Sequence, residues 1–401
     1  MRQRPFYGWV IVGTLSMIGA LTMSMGTVSF GLFIAPMSES LGIGRFFFGM
    51  ANTMKTAGTA LGAPLIGRIL DKHGSRIPLA MAGITMGTCL VALSLVQHPW
   101  QMIIILTVMG FIGLQGGLSL YSQVPISQWF IEKRGKALSW AFIGGPIALL
   151  ASLPLTAWLL ETVGWRTTWV ILGLSGGFAI TVLSLIFLRK NPESVGLLPD
   201  GVKATENEPQ TDSAIPYEYA WTRKQALRHP SFWMLSLGFG GGFFGAGSFV
   251  AFRLDYFPDE GISPLLTSIG VALDPLIVVF VTLAIAPILD RISLRHVGSI
   301  GIGILTCSLL IAAAAPTVFG LFLANTVFGL GMGMNIAAQN AIWPKYFGRR
   351  NIGSIRGISS TVTLSVSAIG GPIVGLIRDE SGAYTIAWVL GAIPMLLGAV
   401  S

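Results

Sequence analysis

The sequence predicts an all-α membrane protein: twelve transmembrane helices in two parallel, pseudo-symmetric six-helix bundles. Three observations predict it. Of the 401 residues, 53% are hydrophobic and only 10% charged, against about 25% charged in an ordinary soluble domain. Apolar runs recur along nearly the whole chain, each long enough to cross a hydrocarbon core of about 30 Å, and lipid offers backbone amides no partner, so the runs must be helices. Finally, landmarks in the first half return in the second. Asp71 after the second span matches Asp290 after the eighth, a separation of 219; Trp129-Phe130 matches Tyr346-Phe347 at 217; Gly164 before the sixth span matches Gly382 before the twelfth at 218. Six spans is an even number, so both copies share one orientation.

In order, the spans are expected at 8–34, 46–69, 77–97, 100–123, 137–160, 168–188, 231–256, 264–288, 297–316, 317–342, 354–377 and 384–401. Met1–Tyr7 is too short, and the first apolar run too long, for a cleaved signal peptide, so that run is the first span. The last run stops at Ser401 without a polar tail, which predicts a chain truncated within or just after its final helix. The polar stretch 189–230, rich in Pro, Glu, Thr and Asp over Lys203–Tyr217, divides a bundle at 1–188 from one at 231–401.

The net charge of +8 is a topology signal rather than a nucleic-acid footprint. With the N-terminus inside, 20 of the 25 Lys and Arg fall in inner segments, the bias that retains such segments in the cytoplasm. Both ends and the linker are therefore expected inside a cell membrane. Cys89 and Cys307 lie in apolar runs and read as core thiols, not a disulfide framework or a metal site. His73, His98, His229 and His296 sit in loops or at span ends, and no catalytic triad, metal-spaced cluster or phosphate loop appears. No cofactor and no enzymatic activity are expected; a non-transporting receptor is the remaining membrane class.

The segment Gly67-Arg68-Ile69-Leu70-Asp71-Lys72-His73-Gly74-Ser75-Arg76 resembles the signature loop of the major facilitator superfamily, Gly-x-x-x-Asp-(Arg/Lys)-x-Gly-x-(Arg/Lys). The resemblance implies a secondary transporter working by alternating access as a monomer. Gly67 would let two helices approach closely, and Asp71 would meet basic residues or a helix N-terminus in one conformation only. Gly67, Asp71, Lys72, Gly74, Arg76 and Arg134, with the echo Asp290 and Arg291, are the expected gating residues. In the echo Ala286 replaces the glycine.

Within that superfamily, Tyr7-Gly8-Trp9, the run from Trp129-Phe130 through Lys133-Arg134 to Gly144, and Tyr346-Phe347-Gly348-Arg349-Arg350 are similar to the monocarboxylate and oxalate/formate branch. The implied substrate is a small monocarboxylate-like anion, moved with a proton or against a counter-anion. Characterised members of that branch commonly carry an arginine in the eighth helix, often with an aspartate one turn before it, and some have a lysine in the eleventh; here the eighth helix has Asp274 and no arginine before Arg291, and the eleventh has no lysine. Export of amphipathic or drug-like compounds is the alternative.

Two charges lie deep in the apolar runs. Lys55 is about 14 Å from the outer end of its span by helical rise, and Asp274 occupies the equivalent place in the second repeat. An ionised side chain at such depth costs from about 2.5 kcal/mol upward. Lys55 is expected to supply the positive charge for the anion, with Asp274 as its partner or as the proton-coupling group; the competing role is a permanent Lys55–Asp274 salt bridge that only fixes packing. Asn52, Lys55, Thr56 and Thr59 fall on one helical face. Gln115 in the fourth helix and Asn335 and Gln339 in the tenth complete the expected substrate-binding set, and the resemblance places those two helices at the cavity. Arg253 and Asp255 read as a solvated end of the seventh helix or as an outer gate. The glycine-rich run from Gly238 to Gly247 predicts either a bend or close helix packing.

Overall fold

The structure, a computed structural model, describes residues 6–114, 119–201, 221–289, 292–381 and 384–400. Among them every regular element is a helix. They run as α1 Tyr7–Ser24, α2 Thr27–Leu41, α3 Arg45–His73, α4 Arg76–Ser94, α5 Pro99–Ile112, α6 Leu120–Trp129, α7 Arg134–Phe187, α8 Arg223–Arg228, α9 Pro230–Asp259, α10 Pro264–Leu289, α11 Leu294–Ala314, α12 Val318–Phe347, α13 Ile352–Ser381 and α14 Tyr384–Val400. Each expected span is met by helix. Seven of the described helices are long and apolar enough on their own to cross a membrane. The 29-residue α3 and 30-residue α13 are long enough but more polar.

Four spans depart from a plain rod. The first is two helices, because Gly26 leaves the helical region (φ −88°, ψ −152°). Just before it, the Thr22 hydroxyl donates to the Ile18 and Gly19 carbonyls and the Ser24 hydroxyl to Ala20. Such back-bonding bends a helix, and glycine leaves it at low steric cost. The fourth span pauses after α5 at Gly113 (φ +68°) and resumes as α6. The fifth and sixth run together as α7, turning sharply at Gly164 (φ +76°).

The chain forms two compact units. One holds Met1–Arg223 together with Trp343–Ile358, the other Lys224–Ile342 together with Ser359–Ser401. In the first unit, α1 and α4 pack against α7 and α3 against α5. A Cβ on Gly62 would overlap the Phe111 carbonyl and one on Gly110 the Lys55 carbonyl, so α3 and α5 touch backbone to backbone.

In the second unit α14 lies against α9 and α11, over a core of Phe249, Tyr256, Phe257, Leu305, Leu309, Phe328 and Trp388. Here α9 stays helical through its glycine run. Cβ atoms on Gly241 and Gly245 would strike Pro394 and Met395, so in this conformation those glycines serve close packing. Large apolar side chains such as Leu174, Phe178, Phe280 and Phe319 are exposed, as a chain solvated by lipid requires.

Candidate substrate and gating sites

The signature loop sits at the end of α3, inside the first unit. The Asp71 carboxylate accepts the Gly353 N–H at 2.8 Å and both the N–H and the hydroxyl of Ser354 at 2.6 Å. Gly353 and Ser354 are the second and third residues of α13, whose amides have no partner within the helix. An anion there is favoured by those donors and by the helix dipole. Burial pushes the Asp71 carboxyl above its ordinary value, while the bonds from Ser354 and Gly353 pull it down. A Cβ on Gly67 would overlap the Gly353 carbonyl, and one on Gly353 would overlap the Gly67 carbonyl. The contact therefore needs glycine on both sides.

The other expected gate residues make contacts of their own. Gly74 turns the chain at φ +74°. The Lys72 carbonyl accepts the Lys190 ammonium at 3.1 Å, and the Arg76 Nε donates to the Leu185 carbonyl at 3.0 Å. Arg134 is buried and donates to the carbonyls of Phe130 (3.0 Å) and Ser127 (3.3 Å), closing the turn between α6 and α7. Asp290 and Arg291 lie outside the described residues.

Two further contacts at this end were not singled out in the sequence. The Arg349 guanidinium donates to the Gln128 carbonyl at 2.9 Å and to Glu193 at 3.0 Å. Asp200, in the left-handed region at φ +58°, accepts the N–H groups of Ile131 (2.8 Å), Glu132 (2.9 Å) and Lys133 (3.3 Å) and so holds the turn that leads into α7. The turn-forming run Pro199-Asp200-Gly201, directly after Gly196-Leu197-Leu198, is the signal that could have found it.

Lys55 is buried at 8% exposure and lines a small recess with Met25, Gly26, Phe30, Asn52, Leu90, Leu93, Leu106, Met109 and Trp169. Asn52 is exposed, Thr56 half-buried and Thr59 buried. The hydroxyls of Thr56 and Thr59 donate back to the carbonyls of Asn52 and Lys55, both at 3.1 Å. The expected polar stripe is thus split, its threonines satisfied by their own helix. Gln115 lies outside the described residues.

In the second unit Asp274 takes Arg253 as its partner, through a short Nη1–Oδ2 contact. The same Nη1 donates to Asn325 Oδ1 at 2.8 Å, and Asn325 Nδ2 donates to the Leu321 carbonyl at 2.8 Å. The guanidinium lies 5.5 Å from the Phe249 ring centre and 5.2 Å from that of Phe328. Arg253, Asp274 and Asn325 are all buried. Arg253 is therefore not a solvated end, because it lies well inside α9, which runs on to Asp259. Asp274 Oδ1 and Arg253 Nε have no hydrogen-bond partner. Asn335 is fully buried with neither side-chain polar atom bonded, and Gln339 is half-buried.

The sequence pattern of the Major Facilitator Superfamily matches residues 16–273. No curated protein matches the chain. Among solved structures, the human organic anion transporter MFSD10 (TETRAN) superposes with a TM-score of 0.73 at 14% identity, over 99% of each chain. The proton:xylose symporter XylE, bound to 6-bromo-6-deoxy-D-glucose, gives 0.71 at 14% identity, over 98% of this chain and 94% of that one. At such identities these neighbours speak to the fold. The matched pattern covers well over half the sequence, and the chain belongs to the major facilitator superfamily, a family of multi-pass membrane transporters.

Proposed function

We propose that this protein carries a small, monocarboxylate-like organic anion across a cell membrane by alternating access, coupled to a proton, with both ends and the linker in the cytoplasm. The observation that carries it is the buried Arg253–Asp274 pair, whose carboxylate keeps one oxygen without a partner. Ionisable groups at such depth are expensive and serve ion or substrate paths. A proton on Asp274 removes the charge that holds Arg253 and frees the guanidinium; loss of the proton restores the pair, and this exchange couples proton movement to the change of state. The pair supplies from two helices the acid and base that the monocarboxylate and oxalate/formate branch carries on one.

Lys55 supports the same reading as a second buried cation, at the equivalent place in the other repeat. The Asp71 contact with the start of α13 supports a cytoplasmic gate that closes in one conformation, to which Lys72, Gly74, Arg76 and Arg134 also belong. The neighbour titled an organic anion transporter agrees in substrate class, and its likeness carries the fold alone.

The test is uptake of labelled lactate, butyrate and benzoate into liposomes holding the protein, with and without an inward proton gradient. Gradient-driven, saturable uptake that becomes gradient-independent in Asp274→Asn is expected. Unaltered gradient dependence in that variant overturns the coupling role. Uptake driven only by a preloaded counter-anion replaces the symporter with an exchanger.

A further inference from the structure

The recess around Lys55 contains more than a lysine. It opens where the first span breaks: Met25 and Gly26 form part of its wall, and α2 starts one residue later. Gly26 offers α2 no side-chain cap, so the amides of the first turn look for acceptors elsewhere. Trp169 lines the same recess. It is 1% exposed, yet its Nε1 donor has no hydrogen-bond partner. Buried donors in native proteins are nearly always satisfied, and an exception needs an occupant or a reason. The ring cannot turn away easily, because it stacks on Phe33 with centroids 3.7 Å apart and planes 18° apart, and meets Phe30 at 6.3 Å.

We infer that this recess is the subsite for the substrate's carboxylate. The indole N–H of Trp169 and the first amides of α2 donate to it, beside the Lys55 ammonium. The inference rests on the anion-carrier reading above. It adds a residue that the sequence did not single out, and it narrows the substrate.

Lys55 is the one ionisable residue among the described lining; Asn52 and Trp169 add polar side chains, and Met25, Phe30, Leu90, Leu93, Leu106 and Met109 are apolar. One cation with a preformed donor at a helix start suits one carboxylate. Apolar walls then favour a hydrocarbon tail over a second charge, which would lie there unpaired. The class is a small monocarboxylate with an apolar tail, rather than a dicarboxylate or a sugar acid.

The experiment is initial-rate uptake into proteoliposomes with benzoate, butyrate, formate and succinate, for the wild type, Trp169→Phe and Leu106→Phe. Phenylalanine at 169 keeps the stacking and removes the donor. The KM for benzoate and butyrate is expected to rise by about 10- to 100-fold, as losing a hydrogen bond to a charged group implies, with Vmax within about twofold. An unchanged KM overturns the subsite.

Leu106→Phe, which fills the recess from α5 and leaves the donors in place, covers the case in which Trp169→Phe fails to reach the membrane. It is expected to exclude benzoate while formate uptake persists, and equal loss or equal retention of the two overturns the site. Succinate preferred to butyrate by the wild type overturns the substrate class. Anion uptake that loses its gradient dependence in Asp274→Asn but ignores both recess variants leaves the transporter reading standing and removes the subsite. No uptake of any anion by the wild type sinks both.

Discussion

Taking Arg253 away while Asp274 stays would leave an ionised carboxylate in a site that excludes water. Breaking one half of a buried pair costs about 3–5 kcal/mol, whereas replacing both halves by apolar groups is often neutral. Arg253→Met is therefore expected to lower the unfolding midpoint in detergent sharply, and Arg253→Met with Asp274→Leu to recover most of it while abolishing transport. A double variant no more stable than the single one would show that the pair is not the interaction being broken.

Asp71 makes a different prediction. Its carboxyl is pushed up by burial in the contact with α13, so it holds a proton more tightly there than in water. By linkage the contact gains as pH falls, and loses as pH rises through the raised value. Hydrogen exchange of the Gly353 and Ser354 amides, corrected for intrinsic rates, should accordingly slow on acidification. Asp71→Asn should speed it by about 5- to 30-fold, the worth of a lost helix cap, and remove the pH dependence.

Among helices, contact and mobility compete for the same glycines. A methyl group on Gly67 has no room against Gly353, and forcing an extra carbon into a packed contact costs about 1–3 kcal/mol. Gly67→Ala should therefore populate the open form of this gate and cut uptake by about tenfold or more, measured as Vmax at unchanged protein level. How much was legible depended on range. Spans were legible because apolar runs are local, and the depths of Lys55 and Asp274 followed from simple counting. The partner of Asp274 was not, because Arg253 lies 21 residues away across a turn and Asn325 lies 72 residues from Arg253; periodicity says nothing about which helices touch. The break in the first span was equally hidden. Gly26 is one of 51 glycines, and only its neighbours Thr22 and Ser24, which pull on carbonyls of their own helix, set it apart.

Taken as one molecule, the chain repeats itself with a period near 218, yet the two copies have diverged in what surrounds their central charge. Lys55 faces a recess with an indole donor, while Asp274 faces a guanidinium between two phenylalanine rings. On the proposal made above, one copy takes the anion's head and the other exchanges a proton against a counter-charge. The connector 202–220 joins residues that are each held by their own bonds: Asp200 holds the turn before α7, and the Trp221 carbonyl accepts Asn351 Nδ2 at 2.8 Å. Co-expressed pieces 1–210 and 211–401 should therefore assemble and restore benzoate uptake, and inactive mixtures would show that the connector itself is needed.

The composition of the first unit also bears on biosynthesis. Asp71 and Gly353 are 282 residues apart in sequence, and ribosomes add about 5–20 residues per second. The carboxylate therefore waits about 14–56 s for the amides that complete it. Until then the end of α3 is a water-exposed anion with no helix to cap, and the first bundle is a folding intermediate rather than a finished domain. A nascent chain arrested before Trp343 should expose that end to a protease that the completed protein resists.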